Sequence, residues 1–202
     1  MVTIVVPYSG SAGKTRLAAL GDGPRGRLVL AMLEDVLAAC APVGRTRVVT
    51  ADAAGADAAG EAGAEVVPDP GGGQGAAVAA ALATVEPGRP VLVVNADVPC
   101  AVPHDLRSLL AAAPSGAMAL VEAADGTTNA LALPVPQAFA PLYGSGSAER
   151  FRSHARALGL APVPAAIPNL AADVDTIADL HHLQFRVGPR TQVALRGLNE
   201  AA

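Results

Sequence analysis

The chain has 202 residues, enough for one domain, with 14 basic against 18 acidic side chains and a formal charge of −4. That balance gives no basic face for nucleic acid or an anionic membrane, and a hydrophobic content of 51% excludes intrinsic disorder. Two cysteines, Cys40 and Cys100, cannot build a disulfide framework, no apolar run is long enough for a membrane span, and the N-terminus lacks the basic region of a signal peptide, so a cytoplasmic protein is expected.

With three Phe, two Tyr and no Trp, the core must be aliphatic. Residues 2–6 (VTIVV) form a first β-branched strand, stopped by Pro7. The loop behind it carries GSAGKT at residues 10–15. It lacks the glycine that a P-loop places six residues before its lysine, because position 8 is Tyr. A true P-loop despite that residue is one reading, and a solvated lysine loop is a second. The third is a differently built phosphate loop, in which the amides of Gly10 to Gly13 and the cations of Lys14 and Arg16 surround a triphosphate. Leu28, Met32, Leu33, Val36 and Leu37 recur at helical spacing and predict a helix from Arg25 to Cys40. A short strand at 48–50, a weak Ala/Gly helix at 53–63 and a third strand at 65–68 follow.

The segment PDPGGGQG (68–75) precedes a helix predicted over 76–85. Its three glycines let a backbone approach a ligand closely, and Gln74 could read a base edge; a flexible connector is the alternative. Residues 91–95 (VLVVN) are the most strand-like run in the chain. Asp97, just beyond, would lie on the ligand rim of a parallel sheet, or else cap the next turn. A helix at 105–113, strands at 117–122 and 130–133 around a DGTTN turn, and a helix at 147–158 come next. DGTTN (125–129) and YGSGS (143–147) offer hydroxyls and amides to a carboxylate or phosphate, or are plain turns.

Asp173 and Asp175 sit in or just after a last short strand. Spacing i, i+2 in extended chain puts both carboxylates on one face. Two such charges are costly unless a cation neutralises them, and oxygen-only ligands suit a hard ion such as Mg²⁺. Asp175 could instead cap the final helix, predicted over 177–185. Residues 186–202 read as a tail. His104, His181 and His182 read as solvated or helix-dipole partners, and no base accompanies Cys100.

Strands alternating with helices predict an α/β fold: three α/β/α layers around a mainly parallel, mixed sheet, in a single domain over 1–185. Ligands bind beyond the carboxyl ends of such strands, so the loops at 7–16, 69–75 and 95–100 should share one rim.

Taken in order, VP…GKTRL, LAMLEDVLAA, VVTAD (48–52), AEVVPDPGGG (64–73), ADVP (96–99), GTTNALAL (126–133), YGSGS and DVDT (173–176) resemble the guanylyltransferases of coenzyme F420 biosynthesis. The likeness runs from about Val5 to Leu180. It implies a Rossmann-like fold of the nucleotide-diphospho-sugar-transferase type and transfer of GMP from GTP to phosphoenolpyruvate or 2-phospho-L-lactate, with release of pyrophosphate. It implies Mg²⁺ on Asp97, Asp173 and Asp175, with Lys14, Arg16 and Asp97 as catalytic groups. GTP would be held by Pro7, Gly13, Lys14, Arg16, Gly72, Gly73 and Gln74. The phosphorylated acid would meet Thr128, Asn129, Gly144 and Ser147. The chain departs from the family where Tyr8-Ser9-Gly10 replaces a lysine-bearing run after the proline, and where Gln74-Gly75 replaces Leu-Asn. Another acceptor (3-phosphoglycerate, a sugar phosphate, a molybdenum cofactor) and a non-catalytic nucleotide-binding relative are the other readings. The assembly is open, a homodimer being one option.

Overall fold

The structure, a computed structural model, describes residues 1–200, with residues 12, 13, 199 and 200 described only through the helical elements that contain them. Seven strands form one sheet: β1 (Thr3–Pro7), β2 (Arg45–Thr50), β3 (Glu65–Pro68), β4 (Val91–Val94), β5 (Ala117–Glu122), β6 (Thr128–Leu133) and β7 (Ala161–Pro164). They lie in the order β3-β2-β1-β4-β6-β5-β7. All neighbours pair in parallel except β6, which runs against both β4 and β5. The three-layer, mainly parallel architecture read from the sequence is the one observed.

Alternation along each strand divides the core in two. Ile4, Val6, Leu92 and Val94 face one layer, and Val5, Val91 and Val93 face the other. The first layer holds α1 (Asp22–Cys40), α2 (Ala53–Glu61), α4 (Pro103–Ala111), α6 (Pro168–Ala171), α7 (Ile177–Leu183) and α8 (Pro189–Glu200). The second holds α3 (Gln74–Leu82) and α5 (Ser147–Ala157). The five periodic apolar residues of α1 are all buried. That helix starts three residues earlier than its periodicity predicts, because Pro24 sits in its first turn, where its missing N–H costs nothing.

Three expectations are corrected. No strand forms at 173–176: residues 172–175 are irregular chain between α6 and α7. The seventh strand is β7 instead. Pro162 and Pro164 hide it in the sequence, and its place at the sheet edge tolerates them. Thirdly, most of the stretch read as a tail is α8, packed on α1; residues 201–202 lie outside the described residues.

The attachment of α8 is specific. Asp35 of α1, only 5% exposed, accepts the backbone N–H groups of Arg190 (3.1 Å) and Thr191 (2.8 Å) at the start of α8. A negative charge there satisfies helix donors that nothing else in the helix can satisfy. A Cβ on Gly188 would lie 2.3 Å from the Asp35 carboxyl carbon, so this close approach needs glycine. Asp35→Ala is expected to cost about 2 kcal/mol in urea-unfolding free energy. A loss below about 0.5 kcal/mol would mean that the apolar face alone holds α8.

Candidate active site

The carboxyl ends of β1, β2, β3 and β4 converge on one rim, and the chain leaves each of them through a loop. After Pro7 the chain enters a 3-10 turn, Gly10–Gly13, and then a second, Thr15–Leu20. Tyr8 anchors the first turn below the surface. A Cβ on Gly55 would come within 2.4 Å of its ring, and a Cβ on Gly10 would lie 3.0 Å from Asp52 Oδ2. Asp52 in turn caps α2 through the Gly55 N–H, at 2.8 Å. The loop is thus fixed from beneath, and Lys14 projects over the rim.

Asp97 follows β4 by three residues, and the Asp173–Asp175 segment docks beside it. The Val174 N–H donates to the Asp97 carbonyl at 2.9 Å, while the Val174 side chain is fully buried. Asp173 and Asp175 therefore both project outward, toward Asp97. One oxygen from each of the three carboxylates lies within 4.8 Å of the others. Lys14 Nζ donates to Asp97 Oδ2 and, at 2.5 Å, to Asp175 Oδ1. Arg16 reaches Asp175 Oδ2 at 3.3 Å. Neither competing role for these aspartates is realised. Thr176 caps α7, with Asp179 closing the capping box, so Asp175 is free for the cluster.

The electrostatics are those of a site short of cations. Burial raises the Asp173 pKa above the usual carboxylate range, and the neighbouring Asp97 and Asp175 add to it; a hydrogen bond from Asn129 works the other way. Burial also opposes the Lys14 ammonium, but Asp97 and Asp175 outweigh it and hold its pKa above normal. Asp97 Oδ1 is buried with no hydrogen-bond partner among the described residues. An orphaned carboxylate oxygen beside two further carboxylates is a donor set that fits a hard divalent cation.

Two clefts of about 410 Å³ each meet at this cluster. Tyr8, Ser9, Lys14, Gln74, Asn95 and Asp97 line the first. Arg16, Asp125, Asp173, Asp179 and His182 line the second, and Asp175 borders both. The glycine loop edges the first cleft. Gly71, Gly72 and Gly73 all have φ near +80°, and Gly73 leads into α3, whose first turn lines the cleft through Gln74 and Ala77.

Residues 23–179 match the MobA-like NTP transferase domain. Over 198 residues the chain is 39% identical to the phosphoenolpyruvate guanylyltransferase of Nocardia farcinica, covering 92% of this chain and 86% of that one. Over 205 residues it is 41% identical to the phosphoenolpyruvate guanylyltransferase of Streptomyces avermitilis, covering 95% and 93%. The chain belongs to the phosphoenolpyruvate guanylyltransferase family of MobA-like NTP transferases. Solved structures share its fold. A nucleotidyl transferase from Methanothermobacter has a TM-score of 0.69 at 21% identity, covering 98% of this chain and 99% of that one. A CMP:2-keto-3-deoxy-manno-octonic acid synthetase complexed with CTP has 0.57 at 15%, covering 97% and 100%.

In this NTP transferase, Pro7, Lys14, Gly73, Gln74 and Asp97 line the first cleft together, and Gly72 is adjacent in the same loop. Gly13 closes its 3-10 turn; its surroundings lie outside the described residues. Arg16, expected at the triphosphate, lines the second cleft. Thr128 and Ser147 face inward, both almost fully buried, with the Ser147 hydroxyl donating to Thr128 Oγ1 at 3.1 Å. Gly144 and Ser147 are not among the residues lining the two clefts; Arg150 ties their loop down through the carbonyls of Leu142, Tyr143 and Ser145. Asn129 is buried against Asp173, to which its Nδ2 donates at 3.1 Å. Sequence reasoning missed Asn95 and Asp125. Asn95 ends the VLVVN run and Asp125 opens DGTTN, but neither is singled out, because each carries no pattern of its own. Gly75 has a physical reason: a Cβ there would lie 2.7 Å from the Pro141 side chain.

A carboxyl whose pKa is raised by folding favours the protonated form, so its ionisation destabilises the fold as pH rises through the carboxylate range. Asp173→Asn is therefore expected to raise the thermal midpoint of the metal-free protein at pH 7. The gain should shrink as pH falls back through the carboxylate range and Asp173 itself takes up its proton. Thermal scans in EDTA across that range check this, and a variant less stable than the parent at pH 7 would contradict it.

Proposed function

We propose that this chain transfers GMP from GTP to the phosphate of phosphoenolpyruvate, with release of pyrophosphate, in coenzyme F420 biosynthesis in the cytoplasm. The observation that carries this reading is the carboxylate trio at the seam between two clefts. A nucleotide on one side and a small phosphorylated acid on the other would meet there. The identity to phosphoenolpyruvate guanylyltransferases over most of both chains supports the choice of nucleotide and acceptor.

In the proposed reaction a phosphate oxygen of the acceptor attacks the α-phosphorus of GTP in line. One O–P bond forms, and the bond from the α-phosphorus to the bridging oxygen breaks, so that the electron pair leaves on pyrophosphate. The attacking oxygen is already ionised at neutral pH, so the chain needs no general base. Its task is to bring two anions together and hold them. A magnesium ion held by Asp97, Asp173 and Asp175 would neutralise the negative charge between the two phosphate groups.

The first cleft takes the nucleotide, its phosphates lying against the glycine loop, the N-terminus of α3 and Lys14. Lys14, seated between Asp97 and Asp175, would turn to the nucleotide and balance the charge growing on pyrophosphate. The second cleft takes the acceptor, with Arg16 as the cation for its carboxylate. Thr128 and Ser147 set the shape of the loops behind it through their mutual hydrogen bond, rather than by offering hydroxyls to the ligand.

Pyrophosphate release from GTP, Mg²⁺ and phosphoenolpyruvate tests the reading, with 2-phospho-L-lactate and 3-phosphoglycerate as alternative acceptors and ATP as alternative donor. Turnover is expected with GTP and phosphoenolpyruvate, and Asp97→Asn should lower it at least about a hundredfold. Lys14→Ala should raise the KM for GTP more than that for the acid. Silence with every acid in folded protein, or Asp97→Asn within tenfold of the parent, would overturn the assignment.

A further inference from the structure

A chain of side-chain amides connects the nucleotide cleft to the carboxylate cluster. Gln74 Nε2, at the first position of α3, donates to Asn95 Oδ1 at 2.6 Å. Asn95 Nδ2 donates to Asn129 Oδ1 at 3.4 Å and to the Thr128 carbonyl at 3.3 Å. Asn129 Nδ2 donates to Asp173 Oδ1 at 3.1 Å. The backbone holds the middle of the chain in place, since the Asn95 N–H also donates to the Asn129 carbonyl at 2.9 Å.

The direction of this chain follows from chemistry. An ionised carboxylate only accepts, so Asn129 must turn its NH₂ toward Asp173 and its oxygen toward Asn95. Asn95 must then present its own NH₂ to Asn129 and its oxygen to Gln74. Gln74 gives its NH₂ to Asn95, which leaves Oε1 as the atom available to the first cleft. The Thr128 carbonyl, which can only accept, holds the Asn95 amide in the same sense, and among the described residues Asn95 joins the two ends.

We infer that Asn95 is a positioning residue for the transfer reaction: through Asn129 it fixes Asp173 for the divalent cation, and through Gln74 it presents a hydrogen-bond acceptor to the nucleotide. The inference rests on the proposed role of the aspartate trio in holding that cation. Asn95 also lines the first cleft, but the role inferred for it is exerted through its two neighbours. It acts by denying Asn129 and Gln74 their alternative, flipped orientations, in which an amide oxygen would face the Asp173 carboxylate. Partners that orient a metal ligand in this way commonly matter about 10–100-fold in metal affinity.

The test uses Mn²⁺ as probe, with its binding followed by electron paramagnetic resonance, and needs no turnover. The full-length parent, Asn95→Leu, Asn129→Leu and the double variant are compared, each checked for a cooperative thermal transition. Asn95→Leu and Asn129→Leu are each expected to weaken Mn²⁺ binding about tenfold, and the double variant no further than either single one, because both cut one connected path. Should Asn95→Leu fail to fold, Asn95→Asp carries the test. It keeps the shape and the bond from Gln74 but puts an oxygen where Asn129 needs a donor. Charge alone would make Asn95→Asp bind Mn²⁺ more tightly, whereas the relay predicts weaker binding by about threefold or more. Asn95→Leu with parental affinity, losses that multiply in the double variant, or tighter binding by Asn95→Asp would overturn the inference while leaving the aspartate trio intact. A parent that binds no Mn²⁺ would overturn both the inference and the reading beneath it.

Discussion

Repulsion among three partly buried carboxylates is the constraint around which this molecule is organised. With one oxygen from each of Asp97, Asp173 and Asp175 within 4.8 Å of the others, a cation is needed among them. Lys14 supplies one, and Arg16 a second at the edge. Yet the Asp97 oxygen that Lys14 does not reach remains buried and unpartnered among the described residues. The arrangement is a poor way to stabilise a fold, because desolvated ion pairs rarely repay their cost. Under the proposed function its value is chemical: negative charge concentrated in advance would hold the divalent cation that arriving phosphates need.

The sheet creates that place. β1 and β4 are neighbours in its middle and end on the same rim, so the loops after them bring Lys14 and Asp97 together across 83 residues of sequence. The reversed strand β6 places Asn129 beside the exit of β4. The irregular segment at 172–175 then closes over the rim, with Val174 as its apolar peg. Behind it, α7 and α8 pack into the same hydrophobic layer as α1, so the two aspartates are mounted on a supported segment.

Much of this was legible in the sequence, for identifiable reasons. β1, β4, β5 and β6 are buried on both faces and therefore read as continuous apolar runs. α1 shows its single buried stripe at helical spacing. The three carboxylates could be nominated because aspartates at strand ends and at i, i+2 spacing have few structural uses. What could not be read depends on contacts made across the fold. β7 is disguised by its prolines. α8 has a weak apolar face and takes its start from an aspartate about 155 residues away. The amide chain from Gln74 to Asp173 joins residues whose types are ordinary in loops, and only the sheet order brings them into line. The hydroxyls of Thr128 and Ser147 read as ligand contacts in sequence, but in the fold each is the other's partner.

The central claim is that the aspartate trio is a divalent-cation site from which Lys14 is displaced when nucleotide arrives. Anomalous diffraction from crystals grown with Mn²⁺ and a non-hydrolysable GTP analogue tests it most directly. The account predicts a manganese peak coordinated by Asp97, Asp173 and Asp175, with Lys14 Nζ moved onto the nucleotide phosphates. A nucleotide bound in the cleft with no peak at the trio, and Lys14 still between Asp97 and Asp175, would contradict it.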